Sequence, residues 1–228
     1  PCSDSSQQHA IFFSSDLQEI RDVPIRQFFP STCPGWGSYL QGVIAGLVSV
    51  GVDVPPIEAV IGSNIPRGGG LSSSAALEVA AATMLEGITC HQLEPLEKAL
   101  LCQRAEHDFA GVPCGIMDQF SSVFGMPNQL MLLDCMSQEI QAVSFCEEDV
   151  SVLITNSNVK HELASGEYAE RRHQCESALK KMGQPTWRDV TLADLHSARD
   201  LLTDDELACG RHVVTEIMRT LEAAEAFA

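Results

Sequence analysis

Between Trp36 and Val50, apolar residues recur at helical spacing (Tyr39, Leu40, Val43, Ile44, Leu47), which predicts an amphipathic helix. The Val54-Pro55-Pro56 break ends it, and Ile57–Ile65 alternates well enough for a strand. An Ala-rich run after Ser72-Ser73-Ser74 predicts a helix to about Glu86, with Gly87 as its stop. Leu93–Phe109 reads as a further helix with Pro95 in its first turn. Ile116–Phe124 reads as a short helix after the Gly111–Gly115 loop. Leu130–Asp134, Ile140–Phe145 and Val150–Asn156 read as three strands, and about Glu162–Met182, Leu192–Leu202 and Asp205–Ala228 as helices. Residues 1–35 are rich in Ser and Pro, with short strand-like pieces such as Ala10–Phe13. The order is mixed, without a βαβ rhythm, an internal repeat or a clear linker.

Composition narrows the class. The 228 residues are 45% hydrophobic and 20% charged, ordinary values for a globular chain. A chain of this length buries roughly 70–75% of its unfolded surface, enough for a core without staples. No apolar run approaches the ~18 residues that span a bilayer. Lys+Arg is 14 against 31 Asp+Glu, a net charge of −17. Nucleic-acid binding is disfavoured, because phosphate contacts need a basic face. An anionic membrane surface is disfavoured for the same reason. The 9 cysteines are scattered and form no C-x-x-C pair, so they read as free thiols of a reducing compartment, and a cytoplasmic location is expected. The first residues carry no secretory signal. The chain opens without Met, and the helix expected to its end has no C-cap signal; it is expected to be part of a longer protein.

Two segments stand out chemically. In Pro66-Arg67-Gly68-Gly69-Gly70-Leu71-Ser72-Ser73-Ser74-Ala75-Ala76, glycines let backbone N–H groups approach a ligand closely. The helix that follows offers free donors and the positive end of its dipole to an anion. From Ala59 to Leu77 the one formal charge is Arg67, so a phosphate would not be repelled there. A flexible turn followed by a Ser cap fits the residues equally well. The segment is no P-loop, lacking Gly-Lys-Ser/Thr. The second segment is Gly111-Val112-Pro113-Cys114-Gly115-Ile116-Met117-Asp118-Gln119-Phe120. Asp118, just inside a helix start, is a candidate general base, though acids also favour first turns for the dipole alone. Glu106 with a Ser hydroxyl, water and phosphate oxygens would suit an octahedral Mg²⁺, or Glu106 lies on a solvated helix face. The seven histidines do not cluster at ligand spacing, so no zinc is expected.

Taken together, the segments resemble the GHMP small-molecule kinases. Pro66–Ala76 resembles their second signature. Gly111–Phe120, Ile154–Val159, Leu163–Tyr168, Arg171–Glu176, Ala198–Leu201 and Arg211–Val214 are similar to the branch that phosphorylates galactose. The resemblance implies an α+β, two-domain GHMP kinase-type fold truncated at both ends, with residues 1–145 in a partial N-terminal domain and 146–228 beginning a C-terminal one. It implies transfer of phosphate from ATP to the C1 hydroxyl of galactose, with ATP and Mg²⁺ as cofactors, small molecules as partners, and neither nucleic acid nor membrane. Gly68, Gly69, Gly70, Ser72, Ser73 and Ser74 would hold the phosphates. Trp36 would lie near the adenosine, and Lys160 would touch phosphate as a point charge where the family has Arg. Asp118 would take the C1 proton, Gly115 and Tyr168 would contact the sugar, and Ser72 and Glu106 would ligate Mg²⁺. The alternatives are a non-catalytic galactose- and ATP-binding regulator and an N-acetylgalactosamine kinase. The family's first signature, of the Arg-Val-Asn-Leu-Ile-Gly-Glu-His type, and its Gly-rich third are absent, so these residues alone are expected to be inactive.

Overall fold

The computed structural model describes residues 9–26, 35–66, 69–145, 150–155 and 167–227. Contacts divide the chain into two compact units, one of Pro1–Met126 with Cys135–Ser137 and Val152–Glu162, the other of Pro127–Asp134, Gln138–Ser151 and Leu163–Ala228.

The first unit opens with strands β1 (His9–Ser14) and β2 (Glu19–Pro24). Alternation turns Ala10 and Phe12 of β1 fully inward, at 0% and 1% exposure. Helix α1 (Gly37–Ser49) then crosses over to β3 (Ile57–Ile61). β1 lies in the middle, antiparallel to β2 and parallel to β3. The connection through α1 carries the chain from β2 past β1 to the far edge of the sheet. The predicted apolar face of α1 is the buried one: Leu40, Val43, Ile44 and Leu47 are sealed in the core. Helices α2 (Ser73–Thr89), α3 (Pro95–Ala105) and α4 (Met117–Phe124) complete the unit. Gly42 and Gly46, one turn apart on α1, face Ala105 and Leu101 of α3 and permit a close helix contact.

Two expectations about α2 and α3 need correction. Gly87 does not stop α2, which runs through it to Thr89 and ends at Cys90 in the left-handed region (φ +54°). Tertiary packing on the Leu85 side outweighs the small helical penalty of one glycine. The predicted helix 93–109 is α-helical to Ala105 and then widens into a π turn over Glu106–Ala110, which Gly111 closes at φ +71°.

In the second unit β4 (Gln129–Leu133) and β5 (Ile140–Ser144) form an antiparallel hairpin. Residues 150–155, of which 152–155 belong to the first unit, are expected in a strand and form none. Leu153 is 88% exposed and no strand among the described residues pairs with them. Helices α5 (Glu167–Met182), α6 (Leu192–Ser197) and α7 (Asp204–Phe227) follow. Val190, Leu195 and Val214 form the small core, with Trp187 and Leu179 against it. No helix among the described residues is long and apolar enough to cross a membrane.

Glu206 ties α7 to α5. It accepts hydrogen bonds from Lys181 Nζ (2.7 Å), Ser177 Oγ (2.6 Å) and the Thr203 backbone N–H (2.8 Å). Lys181 chiefly, then Ser177 and Thr203, pull its carboxyl from 4.5 to about 2. A depressed folded value means stability that is complete above about pH 4.5 and is lost as pH falls toward 2. Glu206→Gln should therefore lower the melting temperature at pH 7 and flatten its fall between pH 4.5 and 2, as circular dichroism melts across that range would read. A parallel fall in both proteins would remove Glu206 as the cause.

Candidate active site

The site grows from the N-terminal end of α2. Gly70 (φ +73°) and Ser72 (φ +52°) both take the left-handed conformation just before the helix. Ser72 occupies the N-cap, yet its side chain makes no capping bond. The hydroxyl is thus not spent on the helix, contrary to the capping role serines commonly take there. The first turn of α2 carries no acid, so nothing on it neutralises the positive dipole end.

One turn into α2, Glu78 is fully buried. It faces Glu106, 3% exposed, where α3 widens into the π turn, and Gln119 of α4, also fully buried. Gln119 Nε2 donates to Glu106 Oε2 at 2.7 Å and to Glu78 Oε2 at 3.1 Å. The Ser74 and Cys114 side chains also favour the charged form of Glu106. Burial, then the Glu106 charge, pushes Glu78 up to about 9, so it is a neutral acid at pH 7. Burial raises Glu106 as well, against the opposing pull of the bonds from Ser74, Cys114 and Gln119. Tyr39 on α1 is pushed up to about 12 by burial and by both carboxylates. Among the described residues no Lys or Arg pairs with Glu78 or Glu106. Glu86, equally buried on the same helix, shows the ordinary solution: Lys98 Nζ at 2.7 Å and the Leu93 N–H at 2.9 Å.

Asp118, half-buried in the first turn of α4, adds its charge to this pair. The loop before it is pinned: the Cys114 carbonyl accepts from His107 Nε2 at 2.8 Å and from Gln103 Nε2 at 3.4 Å. Gly115 is exposed at its end. The unit therefore gathers an acid-free helix N-terminus, a buried carboxylate pair and a further acid beside an open loop. Such a set can receive an anion and a hard cation and accept a proton.

Comparison with known proteins agrees. Residues 38–126 match the GHMP kinases N terminal domain. Human galactokinase is 46% identical over 201 residues, covering 88% of this chain and 50% of that protein. Galactokinase of Thermotoga petrophila is 40% identical over 191 residues, 84% of this chain and 53% of that one. The Lactococcus lactis galactokinase structure, complexed with galactose, matches 97% of this chain and 59% of that chain, with a TM-score of 0.83 at 27% identity. Over residues 38–126 the chain is similar to the GHMP kinases, and its similarity to galactokinases extends well beyond that segment. The chain spans about half the length of the curated relatives it matches.

Of the residues singled out by their GHMP kinase resemblance, Gly70, Ser72, Ser73, Ser74, Glu106, Gly115 and Asp118 all lie on or beside α2, α3 and α4. Gly69 lies in the turn before α2. Trp36 lies at the head of α1, where its Nε1 donates to Glu19 (3.1 Å) and Arg21 stacks 5.4 Å from its ring. Tyr168, 53% exposed, belongs to α5 of the second unit. Gly68 and Lys160 lie outside the described residues. Sequence reasoning missed Glu78, Gln119 and Tyr39. The signal was present: Ala75, Glu78, Ala82 and Leu85 form one helical stripe, and an acid within an apolar stripe must find a partner.

Proposed function

We propose that the protein transfers the γ-phosphoryl group of ATP to the C1 hydroxyl of galactose. The observation that carries this is the 46% identity to human galactokinase, which extends over 201 residues rather than one motif. In this reading Gly68, Gly69, Gly70, Ser72, Ser73 and Ser74 present donors to the phosphates at the α2 dipole end. Trp36 borders the adenosine, and Lys160 adds a point charge to the phosphates. Asp118 accepts the C1 hydroxyl proton while Gly115 and Tyr168 orient the sugar. The N-terminal domain comprises residues 1–145, and the C-terminal domain begins at 146.

The residues fit a magnesium ion. Glu78 Oε1 is buried without a partner, Glu106 has no cation among the described residues, and the oxygen donors are hard. Glu106 and Ser72 would hold the ion, with Ser74 orienting Glu106. When bound, Mg²⁺ offsets phosphate charge, the dominant need of phosphoryl transfer. The chain's own part is to align the C1 oxygen with the phosphorus, hold Asp118 in reach of the C1 hydroxyl proton and hold the phosphates still.

The test is kcat/KM of the full-length protein for galactose and for N-acetylgalactosamine. Galactose should be preferred by at least about tenfold, the worth of one misfitted group in a pocket. Preference for the N-acetyl sugar would replace the substrate, and galactose and ATP binding without turnover would make the protein a regulator.

A further inference from the structure

Gln119 is the point where three helices of the site meet. One nitrogen, Nε2, donates to Glu106 on the α3 side and to Glu78 on α2, while the residue itself directly follows Asp118 on α4. Both hydrogens of the amide are thereby used, and both acceptors are carboxyl oxygens of buried residues. The present orientation serves Glu106: turned over, the amide would set its carbonyl oxygen against the Glu106 carboxyl group, and Glu106 would lose a donor. The present orientation is kept although Gln119 Oε1 and Glu78 Oε1 are left buried without partners. A buried polar atom without a bond is destabilising. Packing alone would favour an apolar side chain at such a position, so the amide serves an arrangement rather than the core.

We infer that Gln119 is a positioning residue: its amide ties Glu106 to Glu78 and fixes the direction in which the Glu106 carboxylate faces the metal and phosphates. The inference rests on the proposed role of Glu106 at Mg²⁺. Glu106 sits where α3 gives way to the π turn, a feature frequent at functional sites. Among the described residues, Gln119 joins it to the interior of α2 by donating to both Glu106 and Glu78. Because α2 begins at the proposed phosphate loop, the brace sets the distance between that loop and the carboxylate. Partners of this kind are typically worth about 10–100-fold in metal affinity.

The experiment is calorimetric ATP binding to the full-length protein, once with Mg²⁺ and once in EDTA, for wild type, Gln119→Leu, Gln119→Asn and Glu106→Gln. The ratio of the two affinities isolates the metal's share. Gln119→Leu keeps the volume and removes the donors; its ratio should fall by about 10-fold or more while affinity in EDTA stays within about twofold. Gln119→Asn, with the amide one methylene short, should show a smaller fall and stands in if the Leu variant does not fold. A lower melting temperature with an unchanged ratio in either variant means a structural residue and overturns the inference. An unchanged ratio in Glu106→Gln removes the metal from Glu106 and overturns the inference through its premise. Loss in Glu106→Gln alone overturns the inference and leaves the metal assignment standing.

Discussion

Asp118→Asn in the full-length protein is expected to lower kcat by about 10²–10⁴ while leaving ATP affinity intact, the usual worth of a positioned base. The argument begins with the side chain's setting. Asp118 is half-buried in the first turn of α4. The next two residues, Gln119 and Phe120, are fully buried and anchor the helix, so the isosteric change should not unseat it. The Asp118 charge also raises Glu78 and Glu106, so removing it relieves repulsion rather than creating it. A folded, ATP-binding protein that has lost turnover is therefore the expected phenotype. Single-turnover kinetics would place the loss in the chemical step. A kcat within about threefold of wild type would remove Asp118 as the base, since general-base catalysis is worth far more than that.

The sequence made some of this arrangement legible and hid the rest, for physical reasons. Helix α1 was readable because its face points at a core on one side, giving a 3.6-residue rhythm. The proposed phosphate loop was readable because three glycines and three serines are unusual chemistry. Asp118 and Glu106 were candidates by residue type alone. That they belong to one cluster was not readable, because α2, α3 and α4 meet only through tertiary packing. Gln119 gave no signal of its own, since a neutral amide is equally at home in water. Its role emerges from two acceptors 41 and 13 residues away in sequence. The π turn at Glu106–Ala110 was hidden too: the pattern Arg104-Ala105-Glu106-His107 continues a helix by propensity, and the widening reflects the closing Gly111 and the loop pinned by His107. Residues 150–155 show the opposite failure, for an apolar run suggests a strand but strands need a partner edge.

Gly42→Val is expected to damage fold and site together. A Cβ added at Gly42 would lie 2.6 Å from Ala105 Cβ, 2.7 Å from its Cα and 2.9 Å from its carbonyl oxygen. Two of those atoms are backbone, so no rotamer change relieves the clash and α3 must move away from α1. Overpacking of this kind costs about 1–3 kcal/mol, and more where backbone is the obstacle. Ala105 directly precedes Glu106, so the displacement passes to the carboxylate that Gln119 and Ser74 hold. A shift of ~1 Å at such a group can cost about 10²-fold in rate. Urea unfolding should show the lost stability, and kcat measured well below the unfolding midpoint should show a loss beyond the unfolded fraction. Gly87→Ala is the control: a Cβ there meets nothing within 4 Å inside α2, and the exchange should add about 0.5–1 kcal/mol without touching kcat. If Gly42→Val unfolds no more easily than wild type, the close α1–α3 contact is not what holds Glu106 in place.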